Sequence, residues 1–228
     1  MFDREIKLIG IDNYNKIKTK TVAIIGIGGV GGYAVESLVR CGIENIIIVD
    51  YDKIDITNLN RQIISMQDNI GYYKVDVCKE RIHNINPNCN VIVIKEKLNI
   101  DNLDILFKHN IDYIIDACDT LSVKQQLIIE AKKRNIKLIS SMGTGRKIHP
   151  ELLKVCDIRE TSYDPLAKKI RLFVKQNNIK GKVMVVSSTE KPKEITDNTV
   201  SSICFVPAVA GLLCSNYVIN DIIDINFR

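Results

Sequence analysis

Four glycines near the beginning of the chain have the spacing of a phosphate-binding loop. They form the pattern Gly26-x-Gly28-Gly29-x-Gly31, which follows a β-branched apolar run and precedes apolar residues at helical spacing. Glycines between a strand and a helix let the backbone turn tightly and approach phosphates, which then meet the amino end of the helix. The pattern therefore predicts a nucleotide site.

An acidic residue follows at the distance expected for a ribose contact. Asp50 ends the second predicted strand, 24 positions after Gly26. A carboxylate there can accept hydrogen bonds from ribose hydroxyls. On these residues alone an NAD-dependent oxidoreductase is the default hypothesis.

Polar and cationic side chains after Asp50 favour a triphosphate over a dinucleotide. Asp52 and Asn58 come first, and Arg61 and Lys74 follow. Arg61 can neutralise phosphate oxygens with its planar fork and Lys74 as a point charge. Asn58 can donate to phosphate without carrying charge. A dehydrogenase has no need of such a cluster, so we expect ATP, with Arg61 and Lys74 acting in catalysis.

Two aspartates at the end of another predicted strand could hold a metal. They stand in the sequence Asp116-Ala-Cys-Asp119. Mg²⁺ prefers one or two carboxylates together with phosphate oxygens. Asp119 is the first candidate for the metal and for a catalytic role, and Asp116 is the second.

The elements that must position these residues alternate between strand and helix. Strands are predicted at 21–26, 45–50, 91–94, 113–118 and 137–141, with helices over 30–41 and 122–133. This alternation predicts an open, mostly parallel sheet with helices on both faces, which is a Rossmann-like α/β fold. Further strands are predicted at 152–158 and 182–187. Asp164 and Pro165 open a helix between them.

We interpret the chain as a single domain in two parts. Residues 1–145 form the nucleotide-binding core, and residues 146–228 form an elaboration for substrate binding and dimerisation. The apolar stretch 203–214 is too short to span a membrane and contains Pro207, so a buried helix or a subunit contact is expected. The amino terminus has charges where a signal peptide needs an apolar run, so no secretory signal is expected. No membrane association and a cytoplasmic location are expected.

Basic residues are concentrated in the second part. The segment 146–193 holds 12 basic residues against five acidic ones, whereas the whole chain has a net charge of +5. A basic block indicates either a polyanion such as RNA or a solvated, lysine-coated face. Arg146 and Lys147 follow the turn Gly143-Thr-Gly145 and are candidates for holding a substrate carboxylate or RNA phosphates.

The cysteines point to reduced thiols. There are seven, which is an odd number, and no two have Cys-x-x-Cys spacing. This pattern argues against a disulfide framework and against a structural zinc site.

The nucleotide motifs resemble those of the ThiF/MoeB-type adenylating superfamily. The resemblance is carried by GIGGVGGYAVESLVRCGI, DYDKIDITNLNRQI, GYYKVDVCKERIHNINP and DACDT. It implies that ATP and Mg²⁺ activate a carboxylate as an acyl-adenylate. By the same resemblance, the nucleotide is held by Gly26, Gly28 and Gly31, its ribose by Asp50, its phosphates by Asn58, Arg61 and Lys74, and the magnesium by Asp119. Arg4 is similar in position to an arginine that reaches the phosphates of a neighbouring subunit.

The second half of the chain resembles the tRNA threonylcarbamoyladenosine dehydratases. The matching stretches are ISSMGTGRKIHP, VCDIRETSYDPLAKKIR, VMVVSSTEKP and VSSICFVPAVAGL. The resemblance implies ATP-dependent cyclisation of the threonylcarbamoyl side chain on a tRNA adenosine. It also implies a homodimer, with a sulfur-relay protein as a further possible partner.

Three alternatives stay open at this point. The first is adenylation of the carboxyl terminus of a ubiquitin-like or sulfur-carrier protein, although such activators usually carry two Cys-x-x-Cys pairs. The second is an NAD-dependent oxidoreductase, which would bind nicotinamide and need no magnesium. The third is a nucleotide-binding scaffold without catalysis.

Overall fold

Seven strands form one twisted sheet in the computed structural model, which describes residues 1–194 and 201–224. In chain order they are β1 (Thr21–Ile25), β2 (Asn45–Val49), β3 (Asn90–Ile94), β4 (Tyr113–Asp116), β5 (Lys137–Ser141), β6 (Leu153–Asp157) and β7 (Met184–Ser188). Their spatial order is β3-β2-β1-β4-β5-β7-β6. Every neighbouring pair is parallel except β6 and β7. The predicted Rossmann-like, mostly parallel sheet is confirmed.

Seven α-helices accompany the sheet within the described residues. They are α1 (Asp3–Ile9), α2 (Ile11–Thr19), α3 (Gly31–Arg40), α4 (Lys74–Ile85), α5 (Leu121–Arg134), α6 (Pro165–Gln176) and α7 (Phe205–Ile222). Apolar periodicity did not indicate α1, α2 or α4. For α1 and α2 the reason is visible in their burial, because α1 buries no residue and α2 buries only Tyr14 and Ile17.

Alternate residues of the central strands separate the core into two layers. Val22 and Ile24 of β1 pack with α3 and α7 on one face of the sheet. Ala23 and Ile25 point to the other face, where α5 covers them. The strands after residue 145 extend the same sheet, since β7 pairs directly with β5. Val200, the first residue of the second-half stretch VSSICFVPAVAGL, lies outside the described residues.

The apolar stretch 203–214 belongs largely to α7. This helix is long and apolar enough to cross a membrane by length and composition, but half of it is buried inside the protein. It packs on α3, where Ser37 Oγ and Ser215 Oγ are 2.6 Å apart. A core helix of the sheet therefore accounts for its composition.

The strand order leaves a crevice at the carboxyl ends of the central strands. β1 lies between β2 and β4, so the chain leaves β1 toward one side of the sheet and later returns on the other. In open parallel sheets such a switch point is where ligands bind. The ends of β1, β2 and β4 are also where the sequence places the glycine loop, Asp50 and Asp116.

Gly31 brings α3 into direct contact with the strand before it. A Cβ at this position would lie 1.8 Å from the carbonyl oxygen of Gly26, whereas at Gly28 the nearest atom would be 3.8 Å away. Added atoms in a packed site usually cost about 1–3 kcal/mol. A side chain at Gly31 would therefore collide with backbone atoms, whereas one at Gly28 would make only an ordinary contact.

We expect Gly31→Ala to lower the free energy of unfolding by about 3 kcal/mol or more, because the backbone must move to accept the methyl group. Gly28→Ala, the matched control, leaves the unfolding transition close to that of the wild type. Urea unfolding followed by circular dichroism measures both. Equal stability of the two variants would contradict the close approach.

Candidate nucleotide-binding site

A cavity of about 320 Å³ opens at the carboxyl ends of β1, β2 and β4. This volume is at the lower end of the range for small-molecule sites. The predicted nucleotide ligands that line it are Gly26, Gly28, Gly29, Asp50, Asp52, Asn58, Arg61, Lys74 and Asp119. Residues from four separate chain segments thus converge on one site.

The glycine loop forms the floor of the cavity. Gly26 has a φ of +89°, and a Cβ there would lie 2.9 Å from the carbonyl oxygen of Ala117. Only glycine tolerates both the dihedral angle and the contact. Gly31 does not line the cavity, and its close approach to Gly26 indicates a packing role, while its nucleotide contact stays a prediction.

Asp50 is fixed by backbone donors of two segments. Its Oδ2 accepts from the Ile27 N–H at 2.7 Å, and its Oδ1 accepts from the Asp52 N–H at 2.8 Å. The carboxylate therefore holds the glycine loop against the end of β2 while its edge faces the cavity. A charged acceptor held in this way can still bind ribose hydroxyls through its remaining lone pairs.

Lys74 and Asp52 form an ion pair in the cavity wall. Lys74 Nζ lies 2.9 Å from Asp52 Oδ2, and the side chain of Lys74 is only 6% exposed whereas that of Asp52 is 47% exposed. Lys74 stands at the first position of α4, so its stem is buried and its amine reaches the cavity. An ammonium group has three donors, and Asp52 takes one of them.

Arg61 and Asn58 lie on a short helical turn within the connection between β2 and α4. Arg61 Nη1 donates to the Thr57 carbonyl and to Asn60 Oδ1, both at 2.9 Å. Within the described residues this leaves Nε and Nη2 for a ligand. Asn58 Oδ1 accepts from the Asp55 N–H at 3.1 Å, so its amide nitrogen is the group that can donate to phosphate. These local bonds orient both side chains before any ligand arrives.

Asp119 is the acidic group of the site best suited to magnesium. It is exposed at the cavity edge, and within residues 1–194 and 201–224 its side chain accepts only a long hydrogen bond, from Thr120 Oγ1 at 3.4 Å. Among the described residues there is no cluster of three ligating side chains that could hold a metal alone. A single carboxylate completed by phosphate oxygens is a usual arrangement for Mg²⁺, so the residues fit a metal that arrives with a nucleotide.

Asp116, the second metal candidate, is contradicted by the structure. Its side chain is fully buried, and Lys124 Nζ lies 3.0 Å from its Oδ2. Ser140 Oγ donates to the same oxygen, and Oδ1 accepts from Cys118. Both oxygens are occupied, so Asp116 has no lone pair directed at the cavity.

Lys124 is the partner that the sequence pattern did not reveal. It lies on α5 and is 0% exposed, and its amine also donates to the Ser141 carbonyl at 2.9 Å. Burial by itself lowers the pKa of this amine, but the Asp116 carboxylate more than offsets it, so the pKa is raised. The buried pair joins β4, α5 and β5 directly beneath the loop that carries Asp119.

Lys147 is also not an open substrate ligand. Its side chain is 1% exposed, and its Nζ lies 3.1 Å from Asp164 Oδ2 and 2.6 Å from the Gly143 carbonyl. It is neither a solvated loop residue nor free to meet RNA. Sequence spacing could not show this pairing, because Asp164 is 17 residues away and caps α6 through the Ala167 N–H.

Arg146 stands in a loop that is held from several sides. Its φ is +61°, its N–H donates to the Ser201 carbonyl, and its own carbonyl accepts from the Lys193 N–H. The carboxylate of Glu190 accepts from the Ile148 and His149 backbone N–H groups at 3.0–3.1 Å. Sequence reasoning missed Glu190, which was counted only as one of the acids in the basic segment.

Gln62 is a further cavity residue that sequence reasoning quoted but did not assign. It is 6% exposed, lines the cavity beside Arg61, and its Oε1 has no hydrogen-bond partner among the described residues. An unpaired buried amide is costly. A ligand in the cavity is one way to satisfy it.

We expect Lys124→Met to lower the free energy of unfolding by about 3–5 kcal/mol, because it leaves the Asp116 carboxylate buried without its counter-ion. Lys133→Met on the same helix is the control, since Lys133 is 70% exposed and its loss should change stability by less than about 0.5 kcal/mol. The double variant Lys124→Met/Asp116→Asn should recover part of the loss. Chemical denaturation measures all three, and a Lys124→Met variant as stable as the control would contradict the role of the pair.

Comparison with known proteins agrees with this site. The family model described as "ThiF family" matches residues 2–223. The tRNA threonylcarbamoyladenosine dehydratase of Bacillus subtilis (strain 168) is 39% identical over all of this chain and 96% of its own length. The Escherichia coli (strain K12) protein of the same name is 40% identical over 74% of this chain and 66% of its own length.

A solved structure extends the similarity to three dimensions. The crystal structure of the E. coli tRNA N6-threonylcarbamoyladenosine dehydratase in complex with ATP superposes with a TM-score of 0.91 at 33% identity, covering 98% of this chain and 93% of that one. The match extends over both halves of the sheet. The chain belongs to the ThiF family and, within it, to the family of the tRNA threonylcarbamoyladenosine dehydratases.

Proposed function

We propose that the protein is an ATP-dependent tRNA threonylcarbamoyladenosine dehydratase. The observation that carries the proposal is the convergence of Arg61, Lys74, Asn58 and Asp119 on one cavity above the glycine loop. Full-length similarity to proteins of this name supports the choice of substrate. Both parts are needed, because the cavity chemistry alone suits any carboxylate that is activated by ATP.

The first step joins the substrate carboxylate to the α-phosphate. A carboxylate oxygen of the threonylcarbamoyl group attacks this phosphorus, the bond to the β-phosphate oxygen breaks, and pyrophosphate leaves. Arg61 and Lys74 stabilise the negative charge that develops on the phosphate oxygens. Bound Mg²⁺, held by Asp119 together with phosphate oxygens, would neutralise part of the same charge.

The second step closes a ring within the substrate. A nucleophilic atom of the same side chain attacks the activated carbonyl carbon, AMP leaves, and the attacking atom loses its proton. The modified nucleoside has then lost one water. The protein supplies binding and orientation, which can account for most of such a rate enhancement.

No enzyme nucleophile is required, and the cysteine in the cavity wall is unsuited to that role. Burial, followed by the nearby Asp116 charge, raises the pKa of the Cys118 thiol far above its usual value. At neutral pH the thiol is protonated, and only the thiolate is a good nucleophile. Cys118 therefore lines the site without taking part in bond making.

The proposal also includes a homodimer, a cellular location and a protein partner. Phe205 and Leu212 on α7 are 60% and 43% exposed, and exposed apolar groups on one helix support a homodimer contact. In a dimer the exposed Arg4 of α1 would reach the phosphates bound by the neighbouring subunit.

We place the protein in the cytoplasm, where its thiols, which are all free among the described residues, stay reduced. A sulfur-relay protein is a further candidate partner.

Two alternative functions would give a different result in the assay described below. Adenylation of a carrier protein would use the same phosphate ligands, and the ThiF family membership is compatible with it. An NAD-dependent oxidoreductase would have no use for two cations and an exposed carboxylate around the phosphates. Arg146 stays a candidate for the substrate carboxylate, and Arg146→Ala with unchanged turnover would remove it.

The decisive measurement is mass spectrometry of nucleosides from tRNA bearing threonylcarbamoyladenosine, after incubation with the protein and ATP·Mg. We expect this nucleoside to lose one water. Arg61→Ala and Asp119→Asn should each slow the reaction by about a hundredfold or more, because each removes a group that stabilises transition-state charge.

Asp101→Asn is the matched control, since Asp101 is exposed in the loop after β3. It should leave the rate unchanged. An unmodified nucleoside, with ATP–pyrophosphate exchange appearing only when a small carrier protein is added, would move the assignment to carrier adenylation.

The pKa of Cys118 gives a separate expectation. Cys118→Ala should retain turnover close to that of the wild type between pH 7 and 8, because the protonated thiol takes no part in bond making. The same nucleoside assay measures this. A loss as large as that of Arg61→Ala, with ATP binding intact, would indicate covalent catalysis through the thiol.

A further inference from the structure

The segment from α6 to β7 carries one sign of charge. Residues 165–189 contain six basic side chains and no aspartate or glutamate. The basic residues are Lys168, Lys169, Arg171, Lys175, Lys180 and Lys182. Mixed signs are the rule on protein surfaces, so a run of this kind marks a surface with a strong positive potential.

Four of these six residues, Lys168, Arg171, Lys175 and Lys180, line a concave surface that is separate from the ATP cavity. The hollow measures about 610 Å³ and lies along α6 and the turn that follows it. We call it the α6 groove, and its cations are Arg159, Lys168, Arg171, Lys175 and Lys180. Its floor is apolar, formed by Leu172, Val174 and Ile179.

Two of the five cations build the groove. Arg159 Nη1 lies 3.0 Å from Asp157 Oδ2, and its Nη2 donates to the Ile179 carbonyl at 2.9 Å. Arg171 Nη1 donates to the Thr161 carbonyl at 2.8 Å. The Arg159 bond attaches the turn after α6 to the segment before the helix, and the Arg171 bond attaches that segment to the helix.

The three lysines of the groove are different. Lys168, Lys175 and Lys180 are exposed, and none of them forms an ion pair with an acid of residues 1–194 or 201–224. Arg159 already neutralises Asp157, and Lys147 neutralises Asp164. The three lysines therefore have no salt-bridge partner within the described part of the chain.

The position of the groove limits what could use it together with the ATP cavity. α6 begins beside Gly143, just beyond the carboxyl end of β5, because Asp164 packs against that glycine. It ends near Arg159, at the edge of the sheet where Asp157 pairs with Met184, the first residue of β7. Its 12 residues span about 18 Å. The groove therefore lies toward the amino ends of the parallel strands, whereas the ATP cavity lies at their carboxyl ends.

A ligand that touches both sites must be long and anionic. A nucleotide is too short, and a small anion would not need cations spread along a helix. Regularly spaced phosphates of a nucleic acid match flexible lysines on a concave surface, and such contacts fix position without reading sequence. A protein partner is disfavoured, because Leu172 is the one exposed apolar anchor of the groove.

We propose that the α6 groove binds the phosphate backbone of the RNA whose modified residue enters the ATP cavity. The identity of this RNA as tRNA rests on the proposed function. The positive groove itself does not. Lys168, Lys175 and Lys180 contact phosphates, while Arg159 and Arg171 keep the groove in shape.

The test is the salt dependence of RNA binding by the full chain, with an unmodified tRNA transcript as the probe so that no chemistry occurs. Each phosphate contact contributes about one unit to the slope of log affinity against log salt concentration. We expect Lys175→Gln/Lys180→Gln to reduce that slope by about 2 units and to weaken binding about tenfold at moderate salt. Lys79→Gln/Lys108→Gln removes the same charge from exposed positions that do not line the groove, and it should change the slope little.

Equal slopes for the two double variants, or unchanged affinity of the groove variant, would overturn the inference. Competition by polyglutamate of the same charge, removed by the groove substitutions while RNA binding persists, would overturn it in favour of an acidic protein. If the wild type binds RNA through the groove but leaves threonylcarbamoyladenosine unchanged, the inference stands and the proposed function fails. If dehydration proceeds normally in the groove variant with unaltered RNA affinity, the proposed function stands and the inference fails.

Discussion

The buried pair of Lys124 and Asp116 is the interaction on which the geometry of the site depends. Two opposite charges lie at 0% exposure where β4 ends. Removing charges from water is costly, so such a pair persists only with further hydrogen bonds around it. Ser140 and the Ser141 carbonyl supply those bonds, which tie α5 and β5 to β4. The loop from Ala117 to Thr120 starts from this anchored point, and its direction decides where the Asp119 carboxylate stands.

The remaining ligands are oriented by the same means, through bonds made before any nucleotide binds. Asp50 is held by two backbone N–H groups, Lys74 by Asp52, and Arg61 by the turn on which it stands. A site prepared in this way does not spend binding energy on ordering side chains. It also places its charges where charge develops during phosphate transfer, which is the usual source of electrostatic catalysis.

Local sequence patterns predicted the elements but not the distant pairings. The strands, the glycine loop and the order of polar residues at strand ends followed from periodicity and spacing, because those signals lie within a few residues. Asp116 and Asp119 look equivalent in the sequence, and only burial and Lys124 separate them. Lys147 likewise looked like an open loop cation until Asp164 was found beside it. Helices such as α1, which buries nothing, leave no apolar period to detect.

The packing of α7 on α3 connects the two ends of the described chain. Pro207 of α7 lies against Gly29 in the phosphate loop, and a Cβ on Gly211 would lie 2.2 Å from the Val30 carbonyl. The loop is synthesised first, and its backing is made nearly 180 residues later. A nascent chain therefore carries an unsupported nucleotide loop until α7 emerges. We therefore expect competence to bind ATP to arise late in synthesis, and a message cut short before residue 205 yields a chain that lacks the helix behind the loop.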